Sequence, residues 1–157
     1  MDKSERYHRL QELLNKNKNR IESELPIEFK ECLEELGDDI TILSNENSKK
    51  IYKDFQTMLP FEWWGRIKWN EISIKYKINN YNNIIHLLRQ HKRLNDNLIY
   101  ILWGTGPYPV LSCNLNKILQ HVDIINSIGF DQWIYCPADR YVIEFYHEGE
   151  ITLGIYS

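Results

Sequence analysis

The sequence predicts an α+β fold: a mainly antiparallel sheet that ends in a C-terminal meander and hairpin, packed by about four to five helices. Three observations carry this expectation. Apolar residues recur at helical spacing through much of residues 3–59. Period-two alternation and short apolar runs then alternate with helical segments, and the last strands follow one another with only turns between them.

Residues 3–17 put Tyr7, Leu10, Leu13 and Leu14 on one helical face, and the run Asn15–Arg20 dilutes that pattern into a frayed end or loop. Pro26 suits the first position of a second helix, with Phe29, Cys32, Leu33 and Leu36 inward and Gly37 as its stop. After a short segment, Ile40–Leu43, either Ser44 or Asn45 caps a third helix carrying Ile51, Tyr52, Phe55, Met58 and Leu59, which Pro60 limits. The aromatic stretch Phe61–Trp69 turns the chain from helix into sheet, with Gly65 relieving the crowding. Ile72, Ile74, Tyr76 and Ile78 alternate with polar residues as in a half-buried strand.

Asn79 or Asn80 caps a helix with Tyr81, Ile84, Ile85 and Leu88 inward. The apolar run Leu98–Trp103 reads as a central strand buried on both faces, and Val110–Cys113 returns as a short strand. Asn114 caps the last helix, with Leu115, Ile118, Leu119 and Val122 inward. Phe130–Tyr135 is a strand leading through Cys136–Asp139 into the closing hairpin, Arg140–Tyr156.

The turn decides the hairpin's register. A two-residue loop at Glu148-Gly149 demands positive φ at Glu148 and pairs Glu144 with Leu153 on the apolar face. A three-residue loop, His147-Glu148-Gly149, puts Gly149 in the left-handed position of a G1 bulge. Tyr141, Ile143 and Phe145 then face Ile155, Leu153 and Ile151, leaving Glu144, Tyr146, Glu150 and Thr152 on an exposed acidic and aromatic face. Gly149 is thus structural, and Trp64, Trp103 and Trp133 are expected as core anchors.

At 157 residues the chain is expected to form one domain over 1–157, a helical part at 1–59 and a mixed part at 60–157. No apolar run approaches a membrane span, and the N-terminus lacks the apolar core of a signal peptide, so a cytoplasmic location is expected. Cys32, Cys113 and Cys136 are far apart with no CxxC pair, and free buried thiols follow. The net charge of −3 is distributed in blocks. Residues 1–21 hold six basic and three acidic side chains, 22–39 one basic and eight acidic, 40–93 ten basic and four acidic, and 94–157 two basic and seven acidic. Such a chain is no general polyanion binder but can present an acidic surface. Two candidates stand out: the second helix with Glu28, Glu31, Glu34, Glu35, Asp38 and Asp39, and the hairpin with Glu144, Tyr146, Glu148 and Glu150.

Signs of catalysis are sparse. There is no GxxxxGK[ST], GxGxxG or GxSxG, and the five histidines form no HExxH pair, so no cofactor and no metal are expected. His147 beside Glu148 and Glu150 is the one arrangement resembling an acid–base site, which leaves a small hydrolase or nuclease as the alternative reading. A third reading is a nucleic-acid platform in the basic 49–93 region using Trp63, Trp64 and Trp69, against which the overall acidity argues.

From about Pro60 to Ser157 the sequence resembles bacterial immunity proteins of contact-dependent growth inhibition. The motifs that carry the resemblance are Trp133-Ile-Tyr-Cys-Pro and Tyr141-Val-Ile-Glu-Phe-Tyr-His-Glu-Gly-Glu-Ile-Thr-Leu-Gly154, with weaker support from Trp64-Gly-Arg-Ile-Lys-Trp69 and Tyr100-Ile-Leu-Trp103. Gly104-Thr-Gly-Pro-Tyr departs from the more acidic or Asn-containing loop of the family. The resemblance implies a cytosolic, non-enzymatic protein that binds and neutralises the C-terminal toxin domain delivered by a neighbouring cell, often a nuclease acting on tRNA or DNA. No direct contact with nucleic acid or membrane is expected, given the overall acidity and the lack of an apolar span, and a monomer is expected.

Overall fold

The structure is a computed structural model that describes residues 2–157, with the backbone alone at 17–19 and 21–23. Its centre is a seven-stranded sheet in the order β1-β4-β3-β5-β6-β7-β2, with every neighbouring pair antiparallel. The strands are β1 (Thr41–Ile42), β2 (Ile74–Lys77), β3 (Ile99–Trp103), β4 (Leu111–Cys113), β5 (Gln132–Cys136), β6 (Tyr141–Phe145) and β7 (Ile151–Ile155). Six α-helices accompany them among the described residues: α1 (Lys3–Glu24), α2 (Ile27–Leu36), α3 (Asn45–Met58), α4 (Asn82–Gln90), α5 (Leu115–Gln120) and α6 (Val122–Asn126). This is the α+β architecture expected. The extra helix arises because the last expected helix breaks at His121 into α5 and α6.

Alternation along the strands divides the core between the two sheet faces. On one face Ile99, Ile101, Trp103, Ile134, Ile143 and Leu153 meet Phe29 and Leu36 of α2, Ile84 and Leu88 of α4, and Ile118 and Ile125 of α5 and α6. On the other, Leu102, Trp133, Tyr135 and Val142 meet Phe55 of α3 together with Leu59, Ile67 and Ile72. The strand at Leu98–Trp103 is therefore covered on both sides, as its continuous apolar run requires. All three cysteines are buried and free.

The caps follow short-range chemistry. Ser44 accepts the Asn47 N–H at 3.2 Å and Asn114 that of Asn116 at 2.9 Å, while Asn80 accepts the Asn82 N–H at 3.0 Å from the residue before Tyr81, which is the N-cap of α4. Pro26 sits one residue earlier than expected, as the N-cap of α2. β2 occupies a sheet edge, so Ile74 is partly exposed while Ile72 and Ile78, just beyond the strand, are buried.

Helix α1 departs from expectation in two ways. It continues through the Asn15–Arg20 run to Glu24 without a loop. Its apolar face, Tyr7, Leu10, Leu13 and Leu14, lies exposed, and none of these four belongs to either core cluster.

Candidate functional site: twin turns over a buried carboxylate

Two tight turns of one construction meet on one side of the sheet. The first closes the hairpin between β6 and β7. Its register is the three-residue one: Tyr141, Ile143 and Phe145 pair with Ile155, Leu153 and Ile151. The Tyr146 N–H donates to the Glu150 carbonyl at 2.9 Å, the Gly149 N–H donates to the Tyr146 carbonyl at 2.9 Å, and Gly149 has φ +89°. The second turn repeats this within Phe61–Ile67, which form an antiparallel bridge. The Glu62 N–H donates to the Arg66 carbonyl at 2.7 Å, the Gly65 N–H donates to the Glu62 carbonyl at 3.0 Å, and Gly65 has φ +95°. Glu62-Trp-Trp-Gly-Arg66 and Tyr146-His-Glu-Gly-Glu150 are thus two versions of one loop, each ending in a glycine that supplies the left-handed residue.

Glu144 locks the turns together. It occupies the sheet face opposite Ile143 and is 1% exposed, which corrects the expectation of an exposed acidic hairpin face. An ionised carboxylate is tolerated inside only when fully hydrogen-bonded and paired, and four donors answer it here. Arg66 Nε at 3.1 Å and Trp69 Nε1 at 2.8 Å donate to Oε1, while the Ile67 N–H at 3.2 Å and Trp133 Nε1 at 3.1 Å donate to Oε2. Trp69 reaches this site by lying against Gly154 of β7, where a Cβ would come within 2.5 Å of its ring. The Arg66 guanidinium extends outward from Glu144, donates from Nη2 to Glu150 at 2.6 Å and stacks 4.0 Å above the Tyr146 ring. These partners hold the Glu150 carboxyl below its ordinary range, first through the Arg66 hydrogen bond and charge and then through the charge of Lys77.

The tips above this anchor are exposed. Trp63 is 91% accessible and meets Trp64 edge-on at 5.5 Å between ring centres. Trp64, expected in the core, is instead a half-exposed residue of the tip, since the turn that brings Trp69 inward points Trp63 and Trp64 away. Trp103 and Trp133 are buried as expected. In the hairpin tip His147 lies 4.2 Å from the Tyr146 ring and 6.0 Å from that of Phe130, itself 69% exposed. Aromatic and charged contacts therefore run without a break from Phe130 through His147, Tyr146, Arg66 and Glu150. A cleft of about 460 Å³, lined by Trp64, Arg66, Trp69, Lys75, Lys77 and Glu150, continues this surface towards β2. A second depression, about 380 Å³, is lined by Phe130, Tyr146 and His147 on the other side.

The sequence-level pairing of His147 with Glu148 or Glu150 is not the one that forms. Asp131 accepts the His147 backbone N–H at 2.8 Å and meets Nδ1 at 2.9 Å. This orients the ring within a solvent-facing turn. Among the described residues no cluster of three or more His, Cys, Asp or Glu could hold a metal ion. Within the basic and aromatic 49–93 segment, Trp69 faces inward to Glu144, and Lys75 Nζ donates to the carbonyls of Trp69 at 2.6 Å and Ile72 at 3.2 Å.

The acidic helix is partly answered within the chain. Asp39 pairs with Lys117 at 3.0 Å, Glu35 with His121 at 3.8 Å, and Glu28 accepts from Tyr108 Oη at 3.3 Å. Glu31, Glu34 and Asp38 stand exposed on α2 or just after it.

The twin turns thus present exposed aromatic tips on a hydrogen-bonded base. The family model described as CdiI immunity protein, EcoliA0-like, matches residues 28–154. The chain belongs to this family of immunity proteins of contact-dependent growth inhibition. The match includes both turns and reaches back over α2 and α3, which the C-terminal motifs alone did not cover; α1 lies outside it. No curated protein matches the chain at a significant level. Among the described residues no helix is long and apolar enough to cross a membrane.

Proposed function

We propose that this chain is a cytosolic immunity protein, working as one domain and as a monomer, that neutralises its cognate toxin by binding the toxin's C-terminal domain and does no chemistry of its own. The family match over residues 28–154 is the observation that carries this reading. The toxin is best read as a nuclease, a tRNase or DNase whose substrate cleft is cationic. Acidic side chains steer association with such a cleft and can stand where substrate phosphates would lie. Two surfaces qualify for docking: the helix with Glu28, Glu31, Glu34, Glu35, Asp38 and Asp39, and the hairpin tip with Tyr146, Glu148 and Glu150. Glu144 supports the second from beneath without reaching the surface. On this reading neither nucleic acid nor membrane is bound directly.

The test is binding of the purified chain to the toxin domain encoded immediately upstream. A dissociation constant in the nanomolar range or below, rising as salt screens the charges, is expected. No measurable binding at micromolar concentrations would end the proposal.

One observation favours a second reading, in which His147 acts as a general base in a small hydrolase or nuclease: Asp131 holds its Nδ1 at 2.9 Å. That reading requires an activity of the isolated chain that His147→Ala and Asp131→Asn both abolish. Nuclease and esterase assays of the wild-type chain that stay at background would eliminate it.

A further inference from the structure

We propose that the two glycine turns form one grip for the toxin domain, with Trp63 and Phe130 as its anchors and Glu148 as its charged centre. The inference rests on the immunity reading above and selects one docking surface from the two it leaves open. Trp63 cannot be accounted for by the fold: its indole is almost wholly in water, its ring contact is to the half-exposed Trp64, and the turn's two hydrogen bonds, made by the Glu62 and Gly65 N–H groups, flank it on either side. An exposed tryptophan on a rigid base loses little freedom on binding, which favours an anchor role. Phe130 offers a second such ring beyond the hairpin tip.

Charge indicates the occupant. Around the tips Glu62, Asp131, Glu148 and Glu150 stand against Arg66, Lys75 and Lys77; Arg66 is already committed to Glu144 and Glu150, and Asp131 to His147. The complement is a cationic protein surface with an apolar recess for the indole, not a second copy of this acidic chain, whose own tips would repel it. A nuclease cleft edged by lysine or arginine has that chemistry. The α2 patch has acidity without exposed aromatic rings, and Lys117 offsets part of its charge.

Surface-plasmon resonance with the purified toxin domain encoded immediately upstream as the probe tests the proposal. Wild type is compared with Trp63→Ala, Phe130→Ala, Glu148→Lys and, on α2, Glu31→Lys, each checked by circular dichroism. Losing an anchor is expected to weaken binding about thirtyfold or more, and Glu148→Lys is expected to slow association, an effect that fades at high salt. Glu31→Lys is expected to stay within about twofold of wild type. Tight wild-type binding that Trp63→Ala and Phe130→Ala leave within about twofold overturns the grip and keeps the immunity reading. So does tight wild-type binding that is lost in Glu31→Lys, or on removal of α1, while both ring variants keep it. A wild-type chain that binds no toxin at all overturns both.

Discussion

At the scale of single residues, Glu144 has the largest consequences. Its two oxygens receive four donors from two separate parts of the chain, residues 66–69 and Trp133, so its loss would leave the Ile67, Trp69 and Trp133 N–H groups without their acceptor and Arg66 with Glu150 alone. Removing one member of a buried ion pair typically costs about 3–5 kcal/mol. Glu144→Ala is therefore expected to lower the unfolding free energy by about that amount in urea titrations, and Glu144→Gln by less, because the amide retains one acceptor oxygen. The cysteines show the same dependence on burial. Burial pushes the Cys32 thiol from the ordinary 9.0 up to about 11, with help from the Glu35 charge, and the Cys113 thiol up to about 12 against the opposing charge of Lys117. The unfolded chain thus releases these protons first, so their contribution to stability is intact below about pH 9 and is lost as pH rises towards about 12. At pH 8 a thiol-specific reagent such as Ellman's reagent should label the native chain slowly and release all three thiols only after denaturation. Fast labelling of the native protein would contradict this burial.

At the scale of elements, local patterns were legible and long-range partners were not. The hairpin register could be read because Gly149 satisfies only one loop length and the apolar alternation admits only one face. The strand at Leu98–Trp103 and the Asn114 cap were equally readable, since each depends on neighbours within a few positions. A change of direction in Phe61–Trp69 was legible, but its tight three-residue form was not, although Trp-Trp-Gly-Arg carries the same glycine signal as His-Glu-Gly-Glu. The crowding of aromatics there suggested a core, whereas the turn sends Trp69 inward and Trp63 and Trp64 outward. Glu144 was misplaced for a related reason. Alternation puts it on the polar face of the hairpin, but no local pattern reveals that Arg66, 78 positions away, folds across that face. In α1 the helical period was correct, while its burial was not decided by amphipathicity alone. Because the described apolar side chains of its first half, Tyr7, Leu10, Leu13 and Leu14, are exposed, removing residues 1–14 is expected to shift the melting temperature by less than about 4 °C. A larger loss in a thermal melt would mean that α1 packs against the domain.

At the scale of the whole molecule, a two-sided core fixes the sheet, and the sheet positions a single rigid base from which both turns project. The blocky charge distribution then acquires meaning. Part of the acidity of α2 is balanced by Lys117, whereas at the hairpin tip Glu148 stands exposed among aromatic rings. Acid and aromatic groups on a preorganised scaffold suit fast, tight capture of a basic protein, and the family to which the chain belongs supplies the biological setting. The most direct test of that claim is growth of cells in which the upstream-encoded toxin domain is induced while this chain is co-expressed. Growth close to that of uninduced cells is the result the account predicts. Growth arrest despite abundant, soluble immunity protein would contradict it.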